Sequence, residues 1–213
     1  MHYVIFTGGI LVKGHAVQKV LAHFDRIIAV DSGASHCYKF KLDPDYIVGD
    51  LDSIDKNSLK KFEKLGSKIV RFPEEKDFTD TELGIDLAIK NDATQISILG
   101  GIAGDRFDHI LSNVLLLLKK KFAKAQIKFA NGNQEIYVAR NEVKISGKKG
   151  DTISFIPISG SVMNITSTGL KYDLANYQLS IQGNHGISNV LTNTTAAATF
   201  KNKSLLIIHT LLA

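Results

Sequence analysis

Up to about residue 128 the chain alternates short β-branched runs with stretches of helical period. Tyr3–Phe6, Arg26–Val30, Tyr46–Val48, Lys68–Phe72, Ile96–Leu99 and Ala125–Phe129 read as strands. Between them, residues 14–23, 33–40, 55–65, 80–90 and 108–122 carry apolar positions at helical spacing. Strand–helix alternation predicts a mostly parallel open sheet with helices on both faces, binding its ligand at the strands' carboxyl ends. Beyond this point the helical period vanishes. Glu135–Ala139, Thr152–Pro157, Tyr177–Ile181, Ala196–Phe200 and Ser204–Thr210 read as strands joined by Gly- and Asn-containing turns. The expectation is therefore α/β then all-β, an α/β domain over 1–128 and a small β-sandwich over 129–213.

Composition sharpens that division. Residues 1–128 hold 17 of the 21 acidic and 19 of the 26 basic side chains. Residues 129–213 hold 25 Ser, Thr and Asn, against 14 in the longer first part. The longest apolar run, Val114 to Leu118, is five residues, so no membrane span is expected. The start lacks a basic segment ahead of a long apolar run, which argues against a signal peptide. A single cysteine, Cys37, excludes an internal disulfide and a multi-cysteine zinc site, and reads as packing. Together these features predict a cytoplasmic globular protein. The net charge of +5 comes mainly from scattered lysines. Their one cluster, Lys119 to Lys124, is expected to complement a helix C-terminus, and no nucleic-acid partner is expected.

Candidate chemistry lies where carboxylates follow strand ends. Asp31 follows the second strand and opens Asp31-Ser32-Gly33-Ala34. Asp50 and Asp52 follow the third, and because strand side chains alternate they point the same way while Leu51 points opposite. Two convergent carboxylates suit Mg²⁺. A helix cap at Asp52 or Ser53 and a turn at Asp50 would explain the same residues. Further on, Thr79 and Glu82 form a capping box, with Asp77 and Asp80 at the positive end of the helix it starts.

A second constellation, Gly100-Gly101-Ile102-Ala103-Gly104-Asp105-Arg106-Phe107-Asp108-His109, joins the fifth strand to an apolar helix. Glycines there let backbone N–H groups approach an anion, and Arg106 adds a fork of donors. The string is neither a Walker A loop nor a G-x-G-x-x-G fingerprint. Two acids beside a phosphate site fit if they hold Arg106 or bind nucleotide hydroxyls. The histidines lack zinc-ligand spacing, and no Gly-x-Ser-x-Gly elbow occurs.

Taken together, DSGA (31–34), DPDYIVGDLDS (43–53), EKDFTDTEL (75–83), GGIAGDRFDHILSN (100–113), STGLKYDL (167–174) and GISN (186–189) resemble the thiamine pyrophosphokinases. The resemblance implies an α/β domain that binds ATP and Mg²⁺, and a β-sandwich that binds thiamine and forms a homodimer. It implies transfer of the pyrophosphoryl group of ATP to the hydroxyl of thiamine, giving thiamine diphosphate and AMP. Carried over by motif, Asp50, Asp52 and Asp80 would bind Mg²⁺, and Asp80, Arg106 and Asp31 would serve catalysis. Gly33, Gly100, Gly101, Arg106, Asp108 and His109 would face ATP. Ser188 and Asn189 would help hold thiamine in a cleft near the β domain.

The chain departs from the pattern twice. It has Gly104-Asp105-Arg106 where many relatives have Gly-Gly-Arg, and it contains no Trp to stack on thiamine. Two other readings compete. Asp50-Leu51-Asp52 also suits an Asp-x-Asp Mg-dependent phosphatase whose first Asp is a nucleophile. A non-catalytic nucleotide-binding module would bind the same ligands without turnover.

Overall fold

The computed structural model describes residues 1–52, 54–73 and 77–212, so Ser53, Glu75 and Lys76 of the motifs lie outside the described residues. The chain divides into two compact units, Met1–Gly132 and Asn133–Ala213.

The first unit contains β1 (His2–Phe6), α1 (His15–Ala22), β2 (Arg26–Val30), α2 (Ala34–Phe40), β3 (Tyr46–Gly49) and α3 (Lys56–Lys64). It continues with β4 (Lys68–Arg71), α4 (Asp80–Lys90), β5 (Gln95–Leu99), α5 (Phe107–Leu116) and β6 (Gln126–Asn131). Within this unit the strands are all parallel, in the order β6-β5-β1-β2-β3-β4. Val4, Ile5 and Phe6 are buried in succession, as are Ile28, Ala29 and Val30. Consecutive burial means that both faces of the sheet are covered, as a parallel sheet requires. The chain grows outward from β1 to β4, then returns to the other side of β1 as β5 and β6. Loops leaving the carboxyl ends of β1 and β5 therefore diverge and open a crevice.

Three local details differ from the sequence expectation. The helix expected over 108–122 ends at Leu116, and a 3-10 turn, Lys120–Phe122, follows. Phe122 is buried there, and the Lys119 and Lys121 ammonium groups both reach the Glu82 carboxylate, at 2.6 and 2.8 Å. Lys121 also reaches Asp86, at 2.7 Å. Two lysines of the cluster, Lys119 and Lys121, thus pair with α4 instead of serving a helix end. Secondly, Asp55 caps α3, accepting from the Ser58 N–H at 2.8 Å, so Asp52 is not that cap. Thirdly, Thr79 caps α4 through the Glu82 N–H, but the Glu82 side chain turns to the lysines.

The second unit is all-β: β7 (Gln134–Ser146), β8 (Thr152–Pro157), β9 (Val162–Thr168), β10 (Tyr177–Leu179), β11 (Asn189–Val190) and β12 (Thr195–Thr210). The 16-residue β12 pairs antiparallel with β7 on either side of a register shift between Thr199 and Ser204. On its other side it pairs with β9 before the shift and with β8 after it. Two sheet segments, β10–β9–β12 and β11–β8–β12, thereby share one strand. Val162, Ile165 and Leu179 from one pack in the same core as Ile153, Phe155 and Ile207 from the other. The sequence suggested two strands where β12 is one, and it missed β9. Asn164 takes φ 56° in β9, which breaks the alternation that reveals a strand. A buried pair, His209 with Asp151 at 2.9 Å, ties the end of β12 to the turn before β8. Burial pushes the Asp151 carboxyl up, but N–H groups of Leu212 and Lys148 together with His209 hold it below its ordinary range.

Among the described residues, no helix is long and apolar enough to cross a membrane. Burial raises the Glu82 pKa, yet Lys119 and Lys121 outweigh it and leave the group below its ordinary 4.5. A depressed carboxylate stabilises the fold above that ordinary value and loses the contribution as pH falls through its folded value. Glu82→Gln should therefore cost about 1–3 kcal/mol at pH 7 in urea unfolding. The difference from the parent chain should shrink steadily below pH 4.5.

Candidate active site

A cleft of about 560 Å³ opens at the carboxyl ends of the central strands. Thr7, Gly8 and Gly9 line it after β1, Asp31 and Ser32 after β2, and Thr79 to Thr81 at the start of α4. The loop after β5 contributes Gly100, Gly101 and Ala103 to Arg106, and α5 contributes His109 and Asn113. Thr7 extends the ladder, donating to the Leu99 carbonyl through both its N–H (2.9 Å) and its hydroxyl (3.1 Å). Immediately beyond, the backbones nearly touch. A methyl side chain on Gly9 would sit 2.1 Å from the Gly100 carbonyl oxygen, and Gly100 itself takes φ 82°. Only residues without a Cβ allow that approach. Gly101 is held from α5, where the Asn113 amide donates to its carbonyl at 2.8 Å.

Asp31 stands at the head of β2 with φ 46°, starting a 3-10 turn, Asp31–Gly33, that leads into α2. Its carboxylate lies over the backbone of Gly49 at the end of the neighbouring β3; a side chain on Gly49 would collide with it at 1.6 Å. This close fit sets the Asp31 carboxylate beside the residue that precedes Asp50. Asp50 and Asp52 themselves are not on a strand. β3 ends at Gly49, Leu51 is buried at φ 69°, and the Asp50 carboxylate accepts the Asp52 N–H at 3.2 Å. Alternation therefore does not align the two, and neither lines the cleft. That geometry also weakens the Asp-x-Asp phosphatase reading, since the motif follows the third strand of the chain, second from the sheet edge, and runs through a turn.

Arg106 and Asp108 form a two-pronged pair, Nε to Oδ1 at 3.0 Å and Nη2 to Oδ2 at 2.6 Å. The Arg106 hydrogen bonds hold the Asp108 carboxyl down at about 2, so the pair stays ionised throughout the neutral range. Asp108 orients Arg106 and does not itself line the cleft. Gly33 also lies outside the lining, packed beneath the Phe6 carbonyl. The structure thus gathers Asp31, Asp80, Gly100, Gly101, Arg106 and His109 around one space. Among the described residues, no group of three His, Cys, Asp or Glu side chains converges as a ready-made metal cage.

Ser188 and Asn189 belong to the second unit. Ser188, at φ 58°, donates its N–H to the Ser154 hydroxyl at 3.0 Å. The Asn189 amide is engaged with the backbone of Tyr172, accepting at 3.1 Å and donating at 2.7 Å. It staples the turn after β9, leaving little of the amide for a ligand. The sequence reading overlooked Thr7, Gly8 and Gly9. Their signal was a Gly-Gly pair directly after the first strand, where a close backbone approach is the usual reason for glycine.

Residues 17–129 match the family model of the thiamin pyrophosphokinase catalytic domain, and residues 133–207 match that of its vitamin B1 binding domain. The chain belongs to the thiamine pyrophosphokinase family. It is 31% identical over 184 residues to thiamine pyrophosphokinase of Bacillus subtilis, covering 85% of this chain and 86% of that one. The crystal structure of thiamine pyrophosphokinase from Bacillus subtilis superposes with a TM-score of 0.86 at 28% identity, covering 100% of both chains. That of thiamin pyrophosphokinase from Geobacillus thermodenitrificans gives 0.83 at 27%, covering 100% and 99%. An α/β unit followed by an all-β unit is thus the architecture of thiamine pyrophosphokinases, as the sequence pattern led us to expect.

The contact between Gly9 and Gly100 gives a direct test. Gly9→Ala must push backbone apart, because its new methyl would run into the carbonyls of Gly100 and Ala103. It should destabilise the protein by about 1–3 kcal/mol in urea unfolding.

Proposed function

We propose that this chain transfers the pyrophosphoryl group of ATP to the hydroxyl of thiamine, yielding thiamine diphosphate and AMP, and that the cleft above β1 and β5 is where ATP binds. The observation that carries this reading is a side-chain-free floor at the sheet's switch point, flanked by a fixed arginine and opposing carboxylates. Backbone N–H groups of the two Gly-Gly turns can approach phosphate oxygens without steric hindrance. Arg106, steadied by Asp108 through two of its nitrogens, retains further N–H donors for a phosphate. His109 stands one helical residue on, at the cleft wall.

A divalent cation suits the donor set. Asp31, Asp80 and Asp105 line the cleft against one guanidinium, so a polyphosphate entering alone would meet net negative charge. Mg²⁺ uses one or two carboxylates and completes its shell with water and phosphate oxygens, and so needs no protein cage. In this proposal Asp80 and Asp50 hold the ion, with Asp31 beside them and Asp52 supporting from the turn. When bound, Mg²⁺ neutralises charge on both the transferred unit and the departing AMP. The remaining catalysis comes from positioning: Asp80 orients the attacking hydroxyl, while Arg106 fixes the phosphates. Thiamine is assigned to the second unit, with Ser188 contacting it and Asn189 acting through the Tyr172 turn it holds.

The proposal includes a homodimer. The resemblance puts its interface in the β unit; the exposed Phe107, Leu111 and Leu115, every fourth residue along α5, add an apolar face in the α/β unit.

The deciding assay supplies ATP, Mg²⁺ and thiamine and quantifies both products. AMP and thiamine diphosphate should appear in equal amounts, only when all three components are present. Asp80→Asn should lower kcat by about 10²–10³-fold with the fold intact by circular dichroism. ADP in place of AMP would make this a single-phosphoryl kinase; binding of ATP with no product would favour the non-catalytic module.

A further inference from the structure

We propose that His36 is a positioning residue for the nucleotide cleft, acting by fixing the peptide plane between Gly9 and Ile10. The inference rests on the ATP-binding reading of that cleft. His36 lies on α2, half-buried, and does not itself line the cleft. Its Nε2 stands 2.8 Å from the Gly9 carbonyl oxygen. A carbonyl oxygen only accepts, so Nε2 carries the hydrogen; the neutral Nε2–H tautomer and the imidazolium both satisfy the bond. At the other end of the same peptide unit, the Ile10 N–H donates to the Ala103 carbonyl at 3.2 Å. One peptide plane is thereby gripped from two directions, by α2 after β2 and by the loop after β5.

The need for such a grip follows from the residues gripped. Gly8 and Gly9 allow the backbone to approach Gly100, but glycine loses more conformational freedom on ordering than any other residue. A Gly-Gly turn that must present N–H groups in one orientation therefore requires an outside restraint. Its own side chains cannot supply one, because it has none. Ser32 closes against Gly8 from the turn after β2, so that a methyl on Gly8 would lie 2.0 Å from the Ser32 hydroxyl oxygen. That contact limits space but sets no direction. The His36 hydrogen bond is directional and lies on the carbonyl whose rotation would turn the adjoining N–H groups.

The test compares His36→Leu, which fills the space without donating, with His36→Gln, whose amide nitrogen has similar reach and restores a donor. In the full chain, His36→Leu should raise KM for ATP about three- to tenfold, the worth of one hydrogen bond. Its kcat and its KM for thiamine should stay within twofold. Amide exchange at Ile10 in the ligand-free protein should accelerate by a similar factor, and His36→Gln should restore both readouts. Unchanged KM and unchanged Ile10 exchange in His36→Leu would overturn the proposal. So would equal impairment of both variants with a lowered Tm, which would reduce His36 to packing. Should the parent chain fail to bind ATP, the functional reading falls, while Ile10 exchange still decides whether His36 restrains the turn.

Discussion

The first unit depends on one steric constraint, the near-contact of backbone at Gly9 with the carbonyl of Gly100. β1 and β5 are neighbours in the sheet, yet their following loops must part to make a crevice. By keeping both loops free of side chains at the point of divergence, the chain obtains a floor made of peptide groups. Everything polar in the cleft is then hung around that floor. Asp31 comes from one neighbouring strand end, Asp80 from a helix start, and Arg106 from the far lip.

Charge organises the walls as sterics organises the floor. Three cations near the cleft's helices have acidic partners: Arg106 has Asp108, and Lys119 and Lys121 have Glu82. The second arrangement braces the first turn of α4 two residues from Asp80, where a shift of the helix would move a cleft carboxylate. The first holds a guanidinium in register at an exposed site. In the second unit, the buried Asp151–His209 pair plays a comparable bracing part. At α4 and in the second unit, charged groups thus tie together elements distant in sequence.

Much of this was legible in the residues. The strand–helix alternation located every strand of the first unit, and Thr79 announced the start of α4 as a cap. What escaped was decided by contacts that a linear pattern does not encode. Glu82 fits a capping box locally, but two lysines some 40 residues on capture its side chain. Asp50 and Asp52 look aligned only if the strand continues; the left-handed Leu51 ends that regularity. β9 vanished behind one positive-φ asparagine, and β12 looked like two strands because its register shifts in the middle. Gly8 and Gly9 carry neither charge nor periodicity to single them out, although they line the cleft.

The two units differ in how their chain must close. The first closes when β5 returns to pair with β1 across 93 residues, Gln95 facing His2, and its last strand ends at Asn131. The second is closed by β12, which must find β7 across a span of 76 residues, Thr210 facing Gln134. Loop closure on that scale slows folding. During synthesis the α/β unit can therefore mature while the β unit waits for its final strand, with β7 and β8 holding open edges. The interval before β12 arrives is when this protein is most exposed to edge-to-edge association with other chains.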